Sequence, residues 1–133
     1  MATNATKLGL GAGGRLVVRG LPPAEAAALV GELPDGARTD AGREGGADVV
    51  VVFAGDVAQV HAEVTEAARI AGEAGRLWVA YRKGAGRDAL NRDTLQRALG
   101  DHGLVGVSLV SLDASWSAMR VRELRAGETS PAR

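Results

Sequence analysis

The side chains best placed to do chemistry fall between Gly75 and Leu95, GRLWVAYRKGAGRDALNRDTL. The apolar run Leu77-Trp78-Val79-Ala80-Tyr81 breaks abruptly into Arg82, Lys83, Gly84, Gly86 and Arg87, and Asn91 then opens a helix-like segment. That order reads as a buried strand, a flexible cationic loop and a helix N-terminus. Loops at strand carboxyl ends are where open α/β sheets hold ligands. Helix N-termini add free amide donors and a partial positive charge. Lys83, Arg87 and Arg92 would supply cations for a phosphate or carboxylate, and Gly84 and Gly86 would let the backbone wrap it. Asp88 and Asp93 compete for the same donors, so a solvated loop with local ion pairs is the competing expectation.

Other chemistries have weaker support. A dinucleotide or S-adenosylmethionine pocket needs glycines directly after the first strand, where the backbone must approach the ligand. Here Gly9, Gly11, Gly13 and Gly14 precede that strand, and Gly20-Leu21-Pro22-Pro23 follows it. The two prolines remove amide donors and stiffen the turn. No cofactor is therefore expected. Asp40 falls near where a ribose-binding carboxylate would lie, but reads as a turn aspartate. His61 is expected half-buried beside a helical stripe, and His102 near a helix C-terminus. Their positions imply no metal site, nor does any carboxylate pair have ligand spacing. Ser111, Asp113, Ser115 and Ser117 cluster at a turn, for which these residue types are suited. A catalytic residue set is not expected.

Composition sets the frame for these groups. The chain has 133 residues, 46% hydrophobic and 24% charged, ordinary for one globular domain. It contains no cysteine, which excludes disulfides and thiolate chemistry. No apolar run reaches the roughly 20 residues that span a bilayer. Residues 1–14 lack the apolar core of a signal peptide, so a cytoplasmic protein without membrane association is expected. Residues 1–75 carry six basic and ten acidic side chains, while 76–133 carry ten basic and six acidic. A pI near 6.7 and 3% aromatics argue against general nucleic-acid binding.

Strand and helix signals alternate along the chain. Arg15–Arg19 reads as a strand. Pro22-Pro23 starts a helix through Ala24–Leu33 that Pro34-Asp35-Gly36 ends. Ala37–Asp40 reads as a short edge strand and Val49–Phe53 as a strand buried on both faces. Asp56 and Gln59 have capping-box spacing. They precede a helix striped by Val57, Val60, Val64, Ala67, Ala68 and Ala71, closed by Gly75. After the Leu77–Tyr81 strand and a helix from Asn91 to about Leu99, Leu104–Leu112 and Trp116–Val121 read as strands. Only Asp113-Ala114-Ser115 separates them, too short for a crossover helix, so they must be antiparallel.

The expected fold is a single α/β, three-layer, Rossmann-like domain over residues 1–124, with a mostly parallel sheet in the order 2-1-3-4-6-5 and a disordered tail at 125–133. The expected core is Leu16, Val18, Val50, Val52, Leu77, Val79, Leu95, Leu99, Val107, Leu109 and Met119. Trp78 and Trp116 belong in it, and Arg120 and Arg122, sharing a strand face with Trp116, must reach solvent or an acidic partner.

Two resemblances accompany this reading. The succession of strands and helices ending in an antiparallel hairpin resembles the second half of a class I methyltransferase fold. Three phrases are closer still: Gly31-Glu32-Leu33-Pro34; Leu77–Tyr81 with Lys83-Gly84 and Leu90–Leu95; and Trp116-Ser117-Ala118-Met119-Arg120. Together they resemble domain-of-unknown-function family 3052, short and mainly actinobacterial proteins, over residues 7–122. The chain departs from that pattern at Arg82, where proline is expected, and around Ala85-Gly86. The family has no assigned activity, so the resemblance implies a fold and no chemistry.

The leading functional expectation is thus a non-catalytic Rossmann-like protein that binds another protein or a copy of itself. One alternative is a small-molecule anion binder using the 82–92 loop. Another is a divergent S-adenosylmethionine-dependent methyltransferase.

Overall fold

The computed structural model describes residues 3–84 and 89–128. A six-stranded sheet runs β2-β1-β3-β4-β6-β5. Its strands are β1 (Arg15–Arg19), β2 (Arg38–Asp40), β3 (Val49–Phe53), β4 (Arg76–Arg82), β5 (Leu104–Ser111) and β6 (Trp116–Glu123). The first four are mutually parallel, and β6 runs antiparallel to both β4 and β5. The strand order and the closing hairpin agree with the sequence reading.

Alternation along the strands divides the interior into two cores. Val17, Val50, Val52, Leu77, Val79 and Met119 point to the face covered by α3 (Val57–Ala71) and α4 (Arg92–Gly100). Leu16, Val18, Val51, Phe53, Trp78 and Trp116 point to the opposite face. That face lies under α1 (Asn4–Lys7) and α2 (Pro23–Val30), together with Leu8 and Leu10. The unbroken Val49–Phe53 run is buried at every position because β3 is central and covered on both sides.

The N-terminal cover had no strong periodic signal. It is held by polar contacts across long sequence distances. Asn4 Nδ2 donates to the carbonyls of Leu29 and Leu112, at 2.5 and 2.7 Å. The buried Trp78 indole donates to the Leu8 carbonyl at 2.9 Å. Trp78 thus packs in the core, as expected, and also ties down the segment laid across it.

Boundaries shift where glycine intervenes. α2 stops at Val30 rather than Leu33, because Gly31 takes a positive φ of 77° and its amide closes on Ala27. α3 likewise ends at Gly72 (φ 64°) rather than Gly75. Asp56 caps it by accepting from the Gln59 amide, whereas the Gln59 side chain serves Gly55 and Phe53 instead of completing a box. Val57, expected in the apolar stripe, is largely exposed, and Ile70 is buried in its place.

Val107 and Leu109 were expected in the core but are 45% and 46% exposed. β5 is the outer edge of the sheet, and its pairing with β6 is broken by an irregularity between Gly106 and Ser108. The extra residue turns Val107 out, while α4 meets that part of the edge through Gln96, whose amide both donates to and accepts from the Gly106 backbone.

At the chain's far end, the Glu128 carboxylate accepts from the Arg125 amide, and the Leu124 amide donates to the Gly103 carbonyl. This orders residues 124–128 against the sheet. Residues 129–133, the remainder of the expected tail, lie outside the described residues.

Candidate functional site

In this strand order the topological switch point lies between β1 and β3, whose connections leave in opposite directions. Ligands of open α/β sheets bind in the crevice above such a point. The residues there are Gly20 to Pro23 after β1, Ala54 to Asp56 after β3, and Asp40 at the end of β2.

Gly20 has φ 92°, a conformation that glycine supplies without strain. A Cβ at this position would overlap the Phe53 carbonyl oxygen. The close approach permitted by glycine is therefore taken up by the end of the neighbouring strand. Gln59 seals the same corner: its Nε2 donates to the Phe53 carbonyl at 3.1 Å, while its Oε1 accepts from the Gly55 amide at 2.9 Å. Pro22 is the N-cap of α2 and Pro23 its first residue, so neither contributes an N–H to the crevice. Sequence reasoning weighed the glycines that precede the strand and the prolines that follow it. The structure adds that the one glycine present makes the tight turn and is spent on the fold.

Asp40 is likewise committed. Its carboxylate receives Arg15 Nε at 2.9 Å and Nη2 at 3.1 Å, and the Gly42 amide at 2.9 Å. Arg15 is nearly buried and also donates to the Glu44 carbonyl. The guanidinium holds the Asp40 carboxyl below its ordinary range, mainly through that hydrogen bond, and burial opposes the shift. An acid so engaged anchors β2 to β1, with Arg15 and Gly42 donating to both of its oxygens. The residues at the switch point do not fit an S-adenosylmethionine site of the glycine-turn type.

The cationic loop is only partly assembled. Lys83 Nζ donates to Ser111 Oγ at 2.6 Å and to the Asp113 carbonyl at 2.7 Å, and the Lys83 amide donates to the Ser115 carbonyl. Its ammonium thus fastens the end of β4 to the β5–β6 turn. Arg82 stacks over Trp116, 4.8 Å from the ring centroid. Gly84 adopts φ 58° in open space. Arg92 makes a long, exposed contact of 3.7 Å with Asp93. Gly86 and Arg87 lie outside the described residues. At the α4 N-terminus, Asn91 and Thr94 form a reciprocal capping box, which occupies the Asn91 and Thr94 amides an anion would use. The turn serines and Asp113 serve backbone geometry, with Asp113 Oδ1 accepting from the Ser115 and Trp116 amides.

The fold brings together a pair that sequence spacing separates. His61 Nδ1 lies 2.8 Å from His102 Nε2, and Thr65 Oγ1 lies 3.3 Å from His102 Nδ1. His61 is exposed rather than half-buried. No cluster of three or more metal-ligating side chains occurs among the described residues. His102 stands at the rim of a cavity of about 700 Å³ at the amino ends of the strands, opposite the switch point.

The fold is similar to that of several solved methyltransferases. The chain aligns over 92% of its length with NcsB1, an O-methyltransferase from neocarzinostatin biosynthesis in complex with S-adenosylmethionine and 2-hydroxy-5-methyl naphthoic acid. The TM-score is 0.64 at 17% identity, and 51% of that chain is covered. A putative methyltransferase from Thermoplasma acidophilum aligns over 91% of this chain and 72% of its own, with TM-score 0.54 and 9% identity. The B. subtilis tRNA methyltransferase TrmK, of M1A22 specificity, gives TM-score 0.51 at 10% identity, over 92% of this chain and 66% of its own. The chain spans about half of NcsB1 and two-thirds of TrmK. No family model matches it, so the family 3052 resemblance is unsupported. No curated protein matches it either. At these identities the shared property is the Rossmann-like methyltransferase fold. No helix among the described residues is long and apolar enough to cross a membrane.

Proposed function

We propose that this chain is a non-catalytic domain on a methyltransferase-like scaffold, acting by engaging another macromolecule or a second copy of itself. One observation carries the reading: the switch-point turn is closed, with Gly20 packed on the Phe53 carbonyl and prolines where amide donors would face a cofactor. The outer edge supports it. β5 has eight residues, none charged, and exposes Val107 and Leu109. The opposite edge, β2, has three residues, two of them charged. Short charged edges resist pairing, whereas long apolar ones invite it.

The likeness to NcsB1, solved with S-adenosylmethionine, favours a second reading, a divergent S-adenosylmethionine-dependent methyltransferase. Such an enzyme would have to hold its cofactor without the amides of residues 22 and 23. Calorimetric titration with S-adenosylmethionine and S-adenosylhomocysteine, beside light scattering over a concentration series, separates the two. The first reading expects no saturable heat up to about 1 mM, and a dimer that Leu109→Glu disperses. Saturable cofactor binding would replace it with the second. A strict monomer that also fails to complex with candidate partner proteins would count against the first.

A further inference from the structure

Two imidazoles meet on the α3 and α4 side of the sheet, away from the switch point and the cationic loop. His61 stands on the solvent side of α3, next to the buried Val60. That fifteen-residue helix is seated by Val60, Val64, Ala67 and Ile70, which fixes where its outer residues project. His102 follows the end of α4 in a turn whose backbone is tied to its surroundings. Its own amide donates to the Leu99 carbonyl, the Gly103 amide to the Gly100 carbonyl, and the Leu124 amide to the Gly103 carbonyl. Gly103 takes φ 71°, which lets the chain turn into β5 directly after the histidine.

Both rings are thus carried by well-held backbone. Their facing nitrogens, His61 Nδ1 and His102 Nε2, are 2.8 Å apart, and the ring centroids are 5.0 Å apart. The centroid separation is close to the nitrogen gap plus two ring radii, so the nitrogens point at each other. Two neutral imidazoles at this distance share one proton between two lone pairs. A metal ion can take that proton's place. At metal–nitrogen distances of about 2.0–2.1 Å, two nitrogens on neighbouring coordination positions stand about 2.8–3.4 Å apart. The short end of that range is the right-angled arrangement of tetragonal Cu²⁺ or Ni²⁺, and the long end is tetrahedral Zn²⁺. The observed gap lies at the short end. His61 is exposed, so its ring is free to rotate until both lone pairs share one point.

Thr65 supplies the support that metal-bound imidazoles usually have. Its Oγ1 lies 3.3 Å from His102 Nδ1. With a metal on Nε2, Nδ1 carries the proton and donates to that hydroxyl, which holds the ring's tautomer and orientation. Arg69, one turn beyond Thr65, has its charge met by Glu66, which limits repulsion of an incoming cation.

From this geometry we infer that His61 and His102 form a surface site for a late divalent transition metal, Cu²⁺ or Ni²⁺ ahead of Zn²⁺. Water fills the remaining positions, since no third histidine or carboxylate joins the pair among the described residues. The bound ion clamps α3 to the turn between α4 and β5. The site stands whether or not the chain associates with another.

The test is titration of the untagged 133-residue chain with Ni²⁺, Cu²⁺ and, separately, Mg²⁺, read by calorimetry and by the urea midpoint of unfolding. Saturable binding of one Ni²⁺ or Cu²⁺ per chain is expected, with a midpoint that rises as metal is added. Mg²⁺ should do neither, because it prefers oxygen ligands. His61→Ala and His102→Gln should each weaken binding by about 100-fold. The metal-free urea midpoint verifies that both variants fold. Electron paramagnetic resonance of the Cu²⁺ form should show coupling to two imidazole nitrogens, a signature that both variants lose. The inference is overturned if neither Ni²⁺ nor Cu²⁺ saturates the chain below about 1 mM. It is equally overturned if either variant binds as wild type, or if Mg²⁺ raises the midpoint as much as Ni²⁺.

Discussion

Replacing Gly20 by alanine tests the central structural argument, that this glycine serves contact between strand ends. Two costs combine there. Placing a side chain at φ 92° strains the backbone by about 1–2 kcal/mol. The new Cβ also overlaps the Phe53 carbonyl, a backbone atom that cannot swing aside. Relief requires β1 to move from β3 at the corner Gln59 seals, and overpacking of this kind costs about 1–3 kcal/mol more. The total is about 2–5 kcal/mol, a large share of the stability of a small domain. Gly46→Ala provides the control: its φ of 81° is similarly unfavourable, but a Cβ there meets nothing within 4 Å. Urea unfolding followed by the fluorescence of the buried Trp78 and Trp116 reads both variants. Gly46→Ala should lose about 1–2 kcal/mol, and Gly20→Ala should lose clearly more. Equal losses would refute the claim that the fold itself fills the space beside Gly20.

Two further perturbations probe the parts around this corner. Asp40→Asn should destabilise the domain near neutral pH by about 1–2 kcal/mol, below the usual 3–5 for breaking a buried pair because Asp40 remains open to water. Arg15 lowers the Asp40 carboxyl, so this stabilisation is present above the ordinary carboxylate range and is lost as pH falls through and below it. The urea midpoints of wild type and variant should therefore converge below the ordinary carboxylate range, and a pH-independent gap would contradict the ion-pair account. Trp78→Phe removes the donor to the buried Leu8 carbonyl, at a cost of about 1–3 kcal/mol for the unsatisfied group. Hydrogen exchange should then quicken selectively at the amides of Leu8, Gly9 and Leu10, and unchanged protection there would show that the indole does not anchor the N-terminal cover.

Much of the fold was legible in the sequence because its signals are local and mutually consistent. The β-branched run at Val49–Phe53, the proline start of α2 and the three-residue link between β5 and β6 each admit essentially one reading. Together they leave few orders for a right-handed α/β sheet. The misjudged positions depended on non-local facts. Val107 and Leu109 look like core by composition, and only their place on an edge strand beside an irregularity exposes them. The N-terminal cover has one short helix and no long periodic stripe. Its docking depends on Asn4 and Trp78 finding carbonyls distant in sequence. The candidate site was less legible for the same reason. Lys83 stands in an anion-loop context, but its partners, Ser111 and Asp113, come from the next hairpin. The His61–His102 contact joins positions 41 residues apart.

The positions of Pro22 and Arg76 bear on how such a scaffold can change its use. In a doubly wound sheet, crossover connections leave a crevice at the carboxyl ends of the strands, and glycine-turn amides make that end suited to nucleotide-like cofactors. Proline at 22 and 23 removes those amides, and the Arg15–Asp40 pair occupies the carboxylate at the end of β2. Both changes strengthen local order while withdrawing polar groups from the crevice. At the opposite end, the antiparallel β6 brings Arg120 and Arg122 beside Arg76, a juxtaposition that a parallel neighbour entering at that end would not create in the same register. Positive charge therefore collects at the amino ends as a consequence of the terminal hairpin. The same hairpin leaves β5 as an uncharged edge. Leu109→Glu should therefore disperse self-association along β5, and light scattering unchanged by the substitution would refute that use of the edge.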